Sequence, residues 1–224
     1  MDLLTALTAA RARAAATPAE PAAWAALAEL LDIADRGALD ADAGFALAVD
    51  RWDALTHLVT LAPTAPHLRA QISCIAALTT RARDRGQPDL AVALCRDQLV
   101  AARLAMRVDA TPEPAAEALA DAAQTVAEDA LRRLDRDDAI AAFSLLLEAL
   151  YTLAQRTGRP AYALRIAGVH LHLGCQLPDP EAARRALLAA RDVLDKLDAA
   201  GLRHPVQAQV RAEVDERLAA LQGS

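Results

Sequence analysis

The sequence of 224 residues has no asparagine, a single lysine (Lys196), and only two each of Trp, Tyr and Phe. Strand-forming residues are therefore scarce, and a β-sheet is not expected. The three cysteines, Cys74, Cys95 and Cys175, lie far apart and never form Cys-x-x-Cys. This argues against a disulfide framework and leaves small buried thiols in a reducing compartment as the expectation. No apolar run approaches the roughly 18 residues of a membrane span. The first residues carry an acid, Asp2, where a signal peptide is basic, and Arg11 and Arg13 interrupt any apolar core. A leading amphipathic helix and a cytoplasmic location are the expectation.

Clustered positive charge is also missing. The net charge is −6 and the sequence pI about 5.4. No basic stripe is interleaved with aromatics, which disfavours nucleic-acid binding. Of the Lys and Arg residues all but Lys196 are arginine, a bias that accompanies GC-rich genomes. There is no phosphate-cradling glycine loop, no Gly-x-Ser-x-Gly and no His-Glu-x-x-His.

What the chain has is alanine, about a quarter of all residues, together with much leucine and arginine. These are strong helix formers, and alanine permits close helix–helix contact. Periodicity and punctuation divide the chain into about ten helices. The first spans about 2–15, with Leu3, Leu7, Ala10 and Ala14 on its apolar side. Thr17-Pro18-Ala19-Glu20 reads as a capping box opening the second, which buries Trp24, Leu27, Ala28 and Leu31 and ends at a left-handed Gly37. The third (41–61) is bounded by Pro63, the fourth (65–85) is capped by Thr64, and the fifth (88–107) opens at Pro88. Its inward stripe is Leu90, Ala91, Leu94, Cys95, Ala102 and Met106. The sixth (112–134) carries Leu119, Ala123, Val126, Ala130 and Leu134. The seventh is built on Asp138–Ala154, where Ser144, Glu148 and Thr152 form the only polar strip, so it should be covered on nearly all sides. The eighth (160–174), ninth (180–200) and tenth (205–221) each open at a proline. Connections are short, so neighbours should be antiparallel.

The turns recur. Asp35-Arg36-Gly37, Asp84-Arg85-Gly86 and Asp135-Arg136-Asp137 start 49 and 51 positions apart. Gly174 and Gly201 continue the turn series at shorter intervals. A fixed period of helical pairs marks an α-solenoid, in which no pair covers its own apolar face alone.

The segment from Leu134 to Phe143, followed by Leu146-Leu147, resembles the second half of a tetratricopeptide repeat (TPR). Ala139 and Phe143 match that pattern, Leu146 is larger than its small residue, and Ala127 falls on the small position upstream. Around Gly86, Ala91 aligns, but Cys95 and Thr79 replace the aromatic and the small residue. Trp24, Leu27, Ala28 and Leu31 look like another first helix. The units are longer than the family's 34 residues, and HEAT or armadillo repeats fit that length better. The resemblance implies a peptide or partner protein held in a concave groove lined by the first helix of each pair. By position it picks out Ser73, Thr80, Asp121, Gln124, Glu128, Arg132, Arg165 and His172. An ordinary solvated face is the plainer reading of the same residues.

Other groupings carry less. His170 and His172 point about 200° apart on a helix and cannot share an ion; His172 and Cys175 alone are not a metal site, and His170 reads as a core histidine. Asp135, Asp137 and Asp138 read as helix-start acids. Asp53 and His57, with Asp50 on the same side, read as surface pairing without a nucleophile.

The expectation is one all-α domain, an α-solenoid of about four elongated, TPR-like antiparallel hairpins over 17–200. Residues 1–16 and 205–221 would be capping helices. Its function would be non-catalytic protein binding, with no cofactor, metal or catalytic residue. The alternatives are a closed helical bundle with an internal cavity, acting as a small-molecule-binding regulator or cryptic enzyme, and a homo-oligomerising module.

Overall fold

A computed structural model describes residues 2–222. Among them are ten α-helices and no strand: α1 (Leu3–Ala16), α2 (Pro21–Arg36), α3 (Ala41–Leu61), α4 (Ala65–Asp84), α5 (Pro88–Val108), α6 (Glu113–Arg132), α7 (Arg136–Thr157), α8 (Pro160–Gln176), α9 (Pro180–Ala199) and α10 (Pro205–Gln222). The chain is all-α, as its composition implies. It divides into two compact units, one up to Ala115 and the other from Ala116.

In the first unit each helix packs on its sequence neighbour, α1 on α2 through α4 on α5. Side-chain ties show the directions. Arg81, late in α4, donates to both carboxylate oxygens of Asp35 at the end of α2 (2.8 and 2.9 Å) and to the Gly44 carbonyl near the start of α3 (2.8 Å). Gln71, early in α4, donates to Thr56 late in α3. Thus α3 and α4 are antiparallel, while α2 and α4 run the same way. Arg69, early in α4, meets Asp109 just past α5 at 2.8 Å, so α5 is antiparallel to α4. The core joins Leu7, Leu27, Leu31, Leu55, Leu58, Ile75, Leu78 and Leu94 with close-set alanines. Each fully buried leucine contributes about 1.5–3 kcal/mol.

In the second unit α7 packs on α8, α8 on α9, and α10 on both α8 and α9. The Phe143 ring, early in α7, stacks on His172, late in α8, so this pair is antiparallel too. Leu171, Leu187, Ala190, Val214 and Leu218 join α8, α9 and α10 in one cluster. Neighbour-on-neighbour packing of antiparallel helices is how an α-solenoid is assembled.

Several local expectations need correction. α2 begins at Pro21 with Glu20 before it, and its end shows no side-chain cap. Thr17 instead closes α1, its hydroxyl donating to the Arg13 carbonyl; Pro21 suits the first helical position, so Pro18 is left outside. Thr64 precedes α4 without a side-chain capping bond. Gly37 has φ −92°, not a left-handed angle. Asp135 accepts from the Asp138 N–H and opens α7, whereas Asp84-Arg85-Gly86 closes α4. The two tripeptides are not equivalent. The equivalent of Gly86 (φ +67°) is Leu134 (φ +59°), 48 positions on. In both turns the next N–H reaches back five residues, Gln87 to Ala82 and Asp135 to Ala130, which is the Schellman pattern. Leu134 is accordingly exposed rather than part of the α6 stripe, and Leu90 and Leu3 are also on the surface.

Two further corrections concern packing. Gly174 is inside α8, not in a turn. A Cβ there would lie 2.6 Å from Leu187 Cγ and 3.3 Å from the Ala183 carbonyl of α9, so α8 and α9 meet where only glycine fits. And α7 is covered on one side only. It buries Ala139, Ala142, Phe143, Leu146, Ala149, Leu150 and Leu153, while Ala141, Ser144 and Tyr151 are exposed and Glu148 and Thr152 half-buried. Cys74 and Cys95 are buried as expected, but Cys175 is exposed. Burial pushes the Cys74 thiol up to about 11, so it stays protonated.

His170 is half-buried between α7 and its own helix. Its Nε2 lies 2.9 Å from the Tyr151 hydroxyl, and its Nδ1 is buried without a partner. Burial holds its pKa below the ordinary 6.5.

Three outcomes follow from these geometries. Gly174→Ala should lower stability in urea unfolding by about 1–3 kcal/mol, whereas Gly168→Ala, whose Cβ meets nothing within 4 Å, should raise it by up to about 1 kcal/mol; equal effects at the two sites would contradict the close approach. Leu134→Gly should raise stability by roughly 0.5–1 kcal/mol, because a leucine side chain strains the left-handed backbone; an unchanged denaturation midpoint would count against that strain. Below pH 6.5 the unfolded chain takes up a proton that folded His170 resists. Its contribution is therefore complete above that pH and declines as pH falls toward the lowered folded value. Urea midpoints at successive pH values should show this loss, reduced in His170→Gln; identical slopes for the two proteins would contradict it.

Candidate functional site

The outer face of α6 is set by helical spacing. Glu117, Asp121, Gln124, Glu128 and Arg132 recur every three or four residues and all are exposed. The opposite face carries Ala116, Leu119, Ala123, Val126, Ala127 and Ala130, all at 2% exposure or less, which fixes the helix's rotation. α8 supplies the matching residues. Tyr162 donates its hydroxyl to Glu117 (3.2 Å), and Arg165 donates to the Gln124 side-chain oxygen (3.0 Å). The Gln124 amide then donates to Glu128 at 2.9 Å. Both cross-helix bonds join residues early to middle in each helix, so α6 and α8 run in the same direction.

These bonds bring together Gln124, Glu128 and Arg165 of the residues singled out by sequence. Asp121 lies in the same row; its backbone carbonyl accepts from the Thr125 hydroxyl. Arg132 pairs with Asp129 of its own helix at 3.3 Å. His172, two turns beyond Arg165, is held flat against Phe143, with ring centroids 5.5 Å apart and planes 2° from parallel. Ser73 and Thr80 belong to the first unit. Both are exposed on α4, two turns apart, and the Thr80 hydroxyl donates to the Ala76 carbonyl.

Glu117 and Tyr162 are the members of the row that sequence reasoning missed. Glu117 reads as an acid near a helix start, and Tyr162 as part of an apolar stripe. Only the cross-helix pairing, 45 residues apart, reveals them. The row has acidic carboxylates on α6 and a guanidinium and a phenol on α8. It holds hydrogen-bonding groups in fixed positions but offers no activated nucleophile.

The other groupings resolve as structural contacts. His57 lies 3.9 Å from Asp53 and stacks on Trp24 at 4.3 Å between ring centroids. Asp50 pairs instead with Arg11. Asp138 meets Arg133 at 3.0 Å. Among the described residues no three His, Cys, Asp or Glu side chains converge on a metal position, and no helix is long and apolar enough to cross a membrane.

No family profile matches the sequence, and no curated protein matches it. Among solved structures the chain is similar to the S. pombe nuclear import adaptor Nro1, with 14% identity, 85% of this chain and 80% of that one covered, and a TM-score of 0.47. It is also similar to the DHF58 filament (20% identity, 80% and 94% covered, TM-score 0.40) and to the de novo designed helical repeat protein DHR64 (18%, 99% and 96%, 0.29). TM-scores below 0.5 are too low to carry a family or a function to this chain.

Proposed function

We propose that the chain is a non-catalytic, TPR-like scaffold that binds a peptide or partner protein through the outer faces of the first helix of each hairpin. The observation that carries this reading is the row Glu117–Tyr162, Gln124–Arg165 and Gln124–Glu128. Its side chains are pre-positioned by one another on the exposed sides of α6 and α8, so less side-chain entropy remains to be lost on binding. Tyr and Arg are also the residue types enriched at binding hot spots. With Glu117, Asp121 and Glu128 on one helix, the face suits a segment that offers donors or positive charge. Arg132 and His172 accompany the row in the second unit, and Ser73 and Thr80 are a separate candidate face on α4 of the first.

The closed-bundle reading has less support. Ser144 is exposed, its hydroxyl donating to Ile140, and the half-buried Thr152 donates to the Glu148 carbonyl. Among the described residues, the clefts of about 270, 150 and 460 Å³ are lined by side chains other than these three.

Affinity capture from the native lysate, followed by titration of the recovered partner, tests the proposal. The double variant Gln124→Ala/Arg165→Glu should fold with unchanged helicity and bind that partner at least tenfold more weakly, about 1.4 kcal/mol. Equal affinity of variant and wild type, or turnover of a small molecule without any partner, would contradict the scaffold reading.

A further inference from the structure

A second surface in the first unit has the makings of a docking site. An open cleft of about 270 Å³ runs between α3 and α5, with α4 as its floor. One wall is Trp52, Thr56, Val59 and Thr60, a single face of α3 at helical spacing. The other wall presents Asp97, Val100 and Leu104 from one face of α5. Gln71 is buried in the floor.

The two threonine hydroxyls of the α3 wall are already engaged. The Thr56 hydroxyl donates to the Trp52 carbonyl (2.9 Å) and accepts from the Gln71 amide (3.1 Å), and the Thr60 hydroxyl donates to Thr56 (2.8 Å). With those hydroxyls engaged, the lining that remains is largely apolar. Val100 is 72% exposed in the middle of a helix, with no neighbour covering it. The charged member of this lining is Asp97. Asp97 is exposed at the rim of the cleft; among the described residues its carboxylate has no hydrogen bond or ion pair, and partial desolvation against the apolar walls raises its pKa. A carboxylate beside apolar walls, without a compensating cation, is a group whose ionised form a bound cation would favour.

We propose that this α3–α5 cleft is a docking site for an amphipathic peptide helix, which sets an apolar side chain against Val100 and Leu104 and an Arg or Lys against Asp97. The inference rests on the reading of the chain as a polypeptide-binding scaffold and adds a second surface with its own chemistry. Size argues for side chains of a peptide over a free metabolite, since 270 Å³ falls below the roughly 300–1,000 Å³ of small-molecule pockets. Shape argues the same way, because a trough between two helices running in one direction matches the apolar stripe of a third. Trp52 adds an aromatic surface for the aliphatic stem or the charge of the basic residue.

The test is selection of a displayed random library of helix-forming peptides on the full-length chain. Winners are then titrated by fluorescence anisotropy against wild type, Val100→Glu, Asp97→Asn and Arg165→Glu, each checked for unchanged helicity. The expected winners pair an apolar residue with Arg or Lys at one or two turns. They should lose at least tenfold in affinity with Val100→Glu, lose severalfold with Asp97→Asn, and ignore Arg165→Glu. Failure to enrich such peptides overturns the proposal. So do winners that ignore Val100→Glu but are lost with Arg165→Glu, an outcome that leaves the α6–α8 face standing as the binding surface. Sedimentation showing a dimer that Val100→Glu dissociates, with no peptide enriched, overturns it in favour of a second copy as occupant.

Discussion

Close approach between neighbouring helices, permitted by small side chains, is the constraint on which this fold depends. Ala82, Ala102, Ala105, Ala123, Ala127, Ala139, Ala149, Ala167 and Ala190 are completely buried, and at Gly174 even a methyl group would collide with Leu187. An alanine removes little apolar area from water, so no single contact stabilises the chain by much. What it gives is proximity, which lets Leu68, Ile75, Leu119, Leu150 and Leu194 fill the remaining space at full burial. Interfaces of this kind admit smaller residues more readily than larger ones.

Small residues slide, so something polar must fix direction and register. In the first unit that is Arg81, which ties Asp35 to the Gly44 carbonyl and so joins three helices at one point. Arg51 and Asp32 pair nearby, and Arg85 lies over the Phe45 ring at 4.2 Å. Removing one partner of such a half-buried pair leaves the other uncompensated, so the pairs favour one arrangement more than they add stability. The second unit uses Gln207 and Arg211 on Asp198 to set α10 against α9. The same principle operates on the outer face of α6 and α8, where the exposed Glu117 and Gln124 bond to the half-buried Tyr162 and Arg165 and fix one helix against the other.

Helix number and helix starts were legible because they are local. Pro88, Pro160, Pro180 and Pro205 each open a helix where sequence placed one, since a missing N–H costs nothing at that position. Turn geometry was less so. Leu134 adopts an angle that sequence reasoning reserves for glycine, and Gly174, read as a turn, serves a helix crossing instead. Both are decided by the partner element and not by the residue itself. Ala127, Ala139 and Phe143 are buried, and so is Thr79, with its hydroxyl unpartnered; burial at these positions is common to any helical pair and does not single out one repeat family. The α3–α5 cleft could not be read at all, because Trp52, Gln71 and Asp97 are brought together only by the order in which three helices stack.

If packing is between neighbours, stability is assembled locally, with a core in each unit. Both tryptophans, Trp24 and Trp52, lie in the first unit, whereas far-ultraviolet circular dichroism reports helices in both. Urea unfolding followed by the two signals on one sample is therefore the most direct measurement. Local assembly predicts that the fluorescence transition and the helicity transition have different midpoints. Superimposable curves through the whole transition would contradict it and show one indivisible cooperative core.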